Sequence, residues 1–244
     1  ITAKSASKTY DGTPLTDIGF TFTEGVLKNG DVLTAVVEGS ATNVGDEGKN
    51  VVKSYKVMRG DVDVTGNYTF GNSIDGKLTI NKRTVTLTSE TASKEYDGTP
   101  LTKPVVTVGG DGFVAGEVTD VKAPGSVTFV HEGEVTNAIT YTEGANYKES
   151  NYTITKDEGK LSITKREGEG KTITITANSA SKIYDGTPLT DIGFNFTQGV
   201  LVKGDVLTAV VEGSQTDAGS SGNTVTSYKL MRGDKDVTGN YTFG

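Results

Sequence analysis

One heptapeptide occurs three times in this chain: Tyr10-Asp11-Gly12-Thr13-Pro14-Leu15-Thr16, then Tyr96 to Thr102, then Tyr184 to Thr190. Each is preceded by Ala-Ser-Lys, at Ala6-Ser7-Lys8, Ala92-Ser93-Lys94 and Ala180-Ser181-Lys182. A second landmark follows in every copy, at Asn67-Tyr68-Thr69, Asn151-Tyr152-Thr153 and Asn240-Tyr241-Thr242. A third closes the first two copies, Gly76-Lys77-Leu78-Thr79-Ile80 and Gly159-Lys160-Leu161-Ser162-Ile163. Ordered landmarks at matching separations define a tandem array of small units, and every expectation about the fold has to satisfy that repetition.

The copies are unequally related. Residues 5–40 match residues 179–214 at all but five positions, whereas the middle copy diverges after Thr102, so the order is A-B-A. Three repeat domains are expected: 1–82 (type A, opening strand truncated), 83–166 (type B) and 167–244 (type A, closing strand missing). The missing closing strand predicts an unpaired sheet edge in the third domain, to be covered by further chain or by a neighbour. Lys82-Arg83 joins the first two units directly, and Arg166-Glu167-Gly168-Glu169-Gly170 is a longer, Gly-rich connection where a flexible joint is expected.

Period-two alternation marks the strands. Thr84 to Thr88, Thr172 to Thr176 and Phe20 to Thr23 place apolar side chains on one face, Val32 to Val37 and Val51 to Val57 add strand-like runs, and no window sustains helical spacing. About seven short strands per unit point to all-β, tandem, Ig-like β-sandwich domains in an elongated array. A helix-poor β-grasp-like domain is the alternative. Within the heptapeptide, Tyr10 anchors a strand end in the core, Asp11 caps amides ahead of it and Gly12 supplies a positive φ. Pro14 then ends the strand and Leu15 re-enters the core.

The Tyr-Asp-Gly-Thr-Pro-Leu-Thr block, the Gly60-Asp61…Asp63-Val64-Thr65…Asn67-Tyr68 segment and the Gly-x-Leu-x-Ile-x-Lys-Arg ending together resemble the MBG-type (Tyr-Asp-Gly) tandem repeats of surface proteins and adhesins in Gram-positive and gut bacteria. The resemblance covers essentially the whole chain. It implies an extracellular, cell-surface location, with attachment to the wall through parts outside this segment, and a role as a repeat array. The middle copy departs from the pattern, with Glu143-Gly144-Ala145-Asn146 in place of the Asp-Val-Thr segment.

Composition narrows the chemistry. The formal charge is −7 with scattered Lys and Arg, so the basic footprint that nucleic acid requires is missing, and an anionic membrane surface is disfavoured. No apolar run approaches a membrane span, and no signal peptide opens the chain. Cysteine is absent, which removes disulfides and thiolate metal sites. The single histidine, His131, stands beside Glu132 and Glu134 in the divergent copy, with no repeat-wide partner for nucleophilic catalysis, and no loop is long enough to build a cleft. No enzyme, no cofactor and no metal are expected.

Three weaker features remain. Asp61-Val62-Asp63 and Asp234-Lys235-Asp236 alternate carboxylates near a turn, as hard-cation sites sometimes do, without the further ligands of a calcium loop. Arg59-Gly60-Asp61 and Arg232-Gly233-Asp234 spell the integrin tripeptide at equivalent positions and form a candidate adhesion turn. Lys8, Lys94 and Lys182, set against Asn67, Asn151 and Asn240, form candidate isopeptide pairs, because burial would favour the neutral, attacking amine. The function expected from all this is a structural stalk or spacer of a bacterial surface adhesin, with neighbouring repeats as partners. The alternative is that the repeats themselves bind a host protein or glycan, and the absence of Trp weakens the glycan version.

Overall fold

The chain is all-β. The computed structural model describes residues 1–23, 25–46, 48–198 and 200–244, and the only helical pieces among them are four three-residue 3-10 turns, at Thr65–Asn67, Val130–Glu132, Glu149–Asn151 and Thr238–Asn240.

The first repeat sets the pattern. Its strands are β1 (Thr2–Ala3), β2 (Ala6–Thr9), β3 (Phe20–Thr21), β4 (Asp31–Glu38), β5 (Gly48–Arg59), β6 (Val62–Asp63) and β7 (Gly76–Asn81). The opening and closing strands run parallel, with Ala6 opposite Leu78 and Lys8 opposite Ile80. On its other side β7 pairs antiparallel with the start of β5, Asn50 opposite Gly76, and β5 pairs in turn with β4 and β6. Alternation decides which side chains enter the core. Along β4, Leu33 and Val37 are buried while Val32 and Val36 face solvent, as a strand with one wet face requires. The middle repeat repeats the scheme: Ala92–Glu95 lies parallel to Lys160–Thr164, which pairs antiparallel with Val135–Thr136. In the third, Val206–Glu212, Thr224–Arg232 and Lys235–Asp236 reproduce β4, β5 and β6.

Contacts divide the chain into two compact units: residues 1–88 with 107–121 and 141–157, and residues 89–106 with 122–140 and 158–244. Each therefore holds one outer repeat plus segments of the middle one. The core of the first includes Val57, Leu78, Val85 and Leu87, and that of the second Tyr96, Leu161, Ile173 and Leu230, all nearly inaccessible to solvent.

Within the second unit, the Gly-rich connection departs from expectation. Arg83–Ser89 leaves the first repeat and pairs parallel with Tyr152–Asp157, and the second connection begins the same way, with Arg166 bridged to Tyr241. The extra residues loop out, and the pairing resumes at Ile173 opposite Phe243. The segment is an excursion anchored at both ends by backbone hydrogen bonds (Arg166 N to Asn240 O, Ile173 N to Thr242 O), because the strand continues on either side of the insertion.

The heptapeptide is a local machine in all three copies. Asp11 Oδ1 accepts from the Thr13 amide (2.9 Å) and hydroxyl (2.7 Å) and from Lys8 Nζ (2.7 Å). Asp97 with Lys94 and Thr99, and Asp185 with Lys182 and Thr187, do the same. The intervening glycine holds φ near +80° each time, the conformation that its missing Cβ permits (+80°, +78° and +82°). The lysine partner is the main reason that the Asp97 carboxyl is pulled down to about 2, and it depresses Asp11 and Asp185 likewise.

Candidate functional site

Two of the three heptapeptide tyrosines, Tyr10 and Tyr96, lead to a cluster that recurs with its chemistry intact. In the first unit, Tyr10 donates its hydroxyl to Glu117 Oε1 (2.5 Å) and Tyr152 donates to Glu117 Oε2 (2.6 Å). The two rings meet edge to face at 5.7 Å, and all three residues are buried. In the second unit, Tyr96 donates to Asp205 Oδ2 at 3.1 Å and Tyr241 to the same oxygen at 2.5 Å, again with an edge-to-face ring pair at 5.6 Å.

Each cluster joins successive repeats. Its first tyrosine comes from one repeat, and its carboxylate and second tyrosine come from the next. Further landmarks reinforce it. The Asn before the second tyrosine accepts a backbone N–H from the preceding repeat, Val44 to Asn151 (2.8 Å) and Val130 to Asn240 (2.7 Å). The second tyrosine's hydroxyl also accepts the Val114 amide in one cluster and the Val202 amide in the other, both at 3.0 Å. The arginine two residues past each of the two closing strands reaches back to the first tyrosine's carbonyl, Arg83 to Tyr10 O (3.2 Å) and Arg166 to Tyr96 O (3.4 Å).

The first repeat's own receiving half stands without a donating repeat. Tyr68 donates to Asp31 Oδ2 (2.5 Å), its hydroxyl accepts the Lys28 amide (2.9 Å), and Asn67 is exposed. No heptapeptide tyrosine reaches Asp31 among the described residues. The donating tyrosine of the third repeat meets no receiving half among the described residues: Tyr184 is 64% exposed, against 3% for Tyr10 and 0% for Tyr96.

The Arg-Gly-Asp turns now have local explanations. Arg59 makes a two-pronged pair with Asp31, through Nε (2.6 Å) and Nη2 (2.9 Å), and Arg232 Nε donates to Asp205 Oδ1 (2.6 Å). Gly60 and Gly233, both with φ +56°, open two-residue hairpin loops of the kind that wants glycine first. Asp61 and Asp234 are exposed at the tips, while Asp63 and Asp236 accept the Thr65 and Thr238 amides. The middle repeat has no such arginine. There Tyr147 stacks on Tyr152 (5.6 Å) and Phe113 packs beside it (5.4 Å).

The candidate isopeptide residues are engaged elsewhere. Lys8, Lys94 and Lys182 hold their own heptapeptide turns, Asn151 and Asn240 cap backbone amides of the preceding repeat, and no hydrogen bond among the described residues joins a lysine of this set to an asparagine of it. The Asn residues end 3-10 turns rather than lying on strands. His131 stacks on Phe129, with ring centroids 5.4 Å apart. No group of three metal-binding side chains occurs among the described residues.

Sequence reading passed over the carboxylate. Its signal was present as Gly30-Asp31-Val32, Gly116-Glu117-Val118 and Gly204-Asp205-Val206, an acid at the start of the same strand in every copy. Compared with family models, with curated proteins and with solved structures, the chain matches none.

Burial is the largest influence on the Tyr10 hydroxyl and the neighbouring carboxylate adds to it, pushing its pKa up to about 12, and Tyr96, Tyr152 and Tyr241 are raised in the same direction by burial first. A tyrosine whose folded pKa exceeds its unfolded value of about 10 contributes stability that is complete below pH 10 and lost as pH climbs through the folded value. The urea midpoint is therefore expected to fall steeply between pH 10 and 12. Tyr10→Phe, which cannot ionise, should flatten that fall while lowering stability at pH 8; an unchanged slope would show that other groups govern the alkaline limit.

Proposed function

We propose that this chain is a structural spacer, a run of stalk repeats in a bacterial cell-surface adhesin of the MBG (Tyr-Asp-Gly) type, projecting a separate binding domain from the cell wall. The supporting observation is the recurrent joint. In two of their three copies the heptapeptide tyrosine (Tyr10, Tyr96) and the Asn-Tyr pair (Asn151-Tyr152, Asn240-Tyr241) are spent on holding one repeat to the next. A chain whose repeated features serve its own continuity suits a spacer, and a buried tyrosine–carboxylate contact ties one repeat to the next within each unit. On this reading the units are Ig-like sandwiches closed by their parallel first and last strands, and the partners are neighbouring repeats.

The competing adhesive reading rests on Asp61 and Asp234 at hairpin tips. Against it, both arginines of the tripeptide are committed to carboxylates of their own repeat. The test is binding of the purified chain to immobilised host matrix proteins and glycans, beside a variant carrying Asp61→Glu and Asp234→Glu. No saturable binding is expected from either protein. Binding that the double variant loses would overturn the spacer reading and make these turns the adhesive element.

A further inference from the structure

The same turn meets two different surfaces. Tyr10-Asp11-Gly12 and Tyr96-Asp97-Gly98 share their internal hydrogen bonds and a glycine φ of +80° and +78°. In the first unit the glycine faces Val114, and a Cβ on Gly12 would lie 3.2 Å from the valine Cγ1. In the second unit it faces a guanidinium. Arg232 Nη1 donates to Gly98 O (3.3 Å), Nε reaches the Tyr96 hydroxyl (3.1 Å), and the cation stands 5.7 Å from the centre of the Tyr96 ring. A Cβ on Gly98 would overlap both terminal nitrogens of that guanidinium and the carbon between them.

Arg59 shows the same side chain with no turn in its grasp. Both of its prongs hold one carboxylate, Nε to Asp31 Oδ1 (2.6 Å) and Nη2 to Asp31 Oδ2 (2.9 Å). Arg232 keeps the Nε bond to Asp205 Oδ1 (2.6 Å), but its Nη2 goes to Lys203 O (3.2 Å) and its Nη1 to Gly98 O. The planar fork therefore exchanges one carboxylate bond for two carbonyls, one of them on the preceding repeat. Five donors fixed in a plane permit that exchange, whereas the three donors of an ammonium share one nitrogen and do not span carboxylate, hydroxyl and two carbonyls together.

We infer that Arg232 is the residue by which the third repeat recognises the second, and that its ligand is a Tyr-Asp-Gly turn whose third residue carries no side chain. Glycine at position 98 is then required twice, once for the left-handed backbone and once for the guanidinium laid against its Cα. The middle repeat receives the same turn on Val114 and Glu117 and makes a looser demand, because the contact at Gly12 is van der Waals packing with one methyl group. The two joints thus differ in selectivity although they present the same tyrosine to a buried carboxylate. The inference deepens the joint on which the spacer reading rests, by naming what one repeat reads in the other.

The test is amide-resolved hydrogen exchange on the whole chain. Two amides report the joints: Val130 N–H, which donates to Asn240, for the second unit, and Val44 N–H, which donates to Asn151, for the first. Asparagine tolerates a left-handed backbone better than most residues with a side chain, so it separates the two demands on glycine. Gly98→Asn should speed Val130 exchange about tenfold or more beyond the effect of Gly186→Asn, whose glycine has φ +82° and nothing within 4 Å. Gly12→Asn should speed Val44 exchange by a smaller factor. Arg232→Lys should speed Val130 exchange by itself and shrink the further effect of Gly98→Asn, as two residues in contact require. Equal Val130 rates in Gly98→Asn and Gly186→Asn, or an undiminished Gly98→Asn effect in the Arg232→Lys background, would overturn the assignment. Saturable binding of the chain to a host matrix protein would sink the spacer reading and leave these exchange rates, and the recognition they measure, as they are.

Discussion

Asp205→Ala is expected to cost the second unit about 3–5 kcal/mol, the range for removing one partner of a buried, hydrogen-bonded ion pair. The Asp205 side chain is fully inaccessible and serves three donors: Tyr96, Tyr241 and Arg232. Truncation leaves two buried phenolic hydroxyls without their acceptor, and a guanidinium that is only 27% exposed without its counter-charge. Removing one tyrosine is milder. Tyr96→Phe deletes one donor and leaves the carboxylate its other two, so a loss of about 1 kcal/mol is expected. The equivalent Asp31 is a control inside the same molecule: it serves one tyrosine and an arginine that is 56% exposed, so Asp31→Ala should do visibly less harm. Thermal unfolding of the three variants, with hydrogen exchange over Val206–Glu212 as the local readout, measures the order. Equal losses for Asp31→Ala and Asp205→Ala would show that the joint adds nothing to the carboxylate's role within its own repeat.

That comparison marks where the sequence was readable and where it was not. The strands, the heptapeptide turn and its capping Asp11 follow from local rules: alternation, an Asx-type cap, a glycine at positive φ and a proline that ends a strand. These rules operate over a few residues and need no knowledge of what lies across the fold. Tyr10 was legible as a core anchor for the same reason. Its partner Glu117 was not, because the two are 107 positions apart and belong to different repeats. A repeat alignment shows residues that recur but not whether a recurring residue faces its own copy or the next. The partner of the Arg-Gly-Asp arginine was hidden for a related reason. A tripeptide with a known role in other proteins draws the eye to its exposed Asp, whereas Arg59 pairs with Asp31, the residue directly opposite it on the adjoining strand and 28 positions away in sequence. The looped-out 167–171 segment was readable as an insertion from the repeat spacing. Its flanks, held by pairing to Tyr241 and Phe243, were visible only in three dimensions.

Asn50→Leu should destabilise the first unit by about 2–4 kcal/mol, since it removes the donor that two backbone carbonyls share in a buried site. Asn50 is fully buried, and its amide nitrogen donates to Lys4 O (2.8 Å) and Asp17 O (2.7 Å), tying the opening strand to the segment that follows the heptapeptide. Asn137 and Asn223 do the same in their own repeats, bridging Glu90 O with Lys103 O and Asn178 O with Asp191 O. All three leave the side-chain oxygen unpaired, so the position is selected for a donor and not for polarity. Asn50→Asp discriminates between the two. It keeps the shape but presents a carboxylate to two carbonyl oxygens in a dry site, which raises its folded pKa above the unfolded value of about 3.9. With the folded pKa raised, the variant is penalised above that pKa and recovers as pH falls through it, because the protonated acid regains one donor. The difference in urea midpoint between wild type and Asn50→Asp should therefore narrow from pH 7 to pH 4. A pH-independent difference would mean that volume and packing, not the two donated hydrogen bonds, explain why asparagine stands at this position in every repeat.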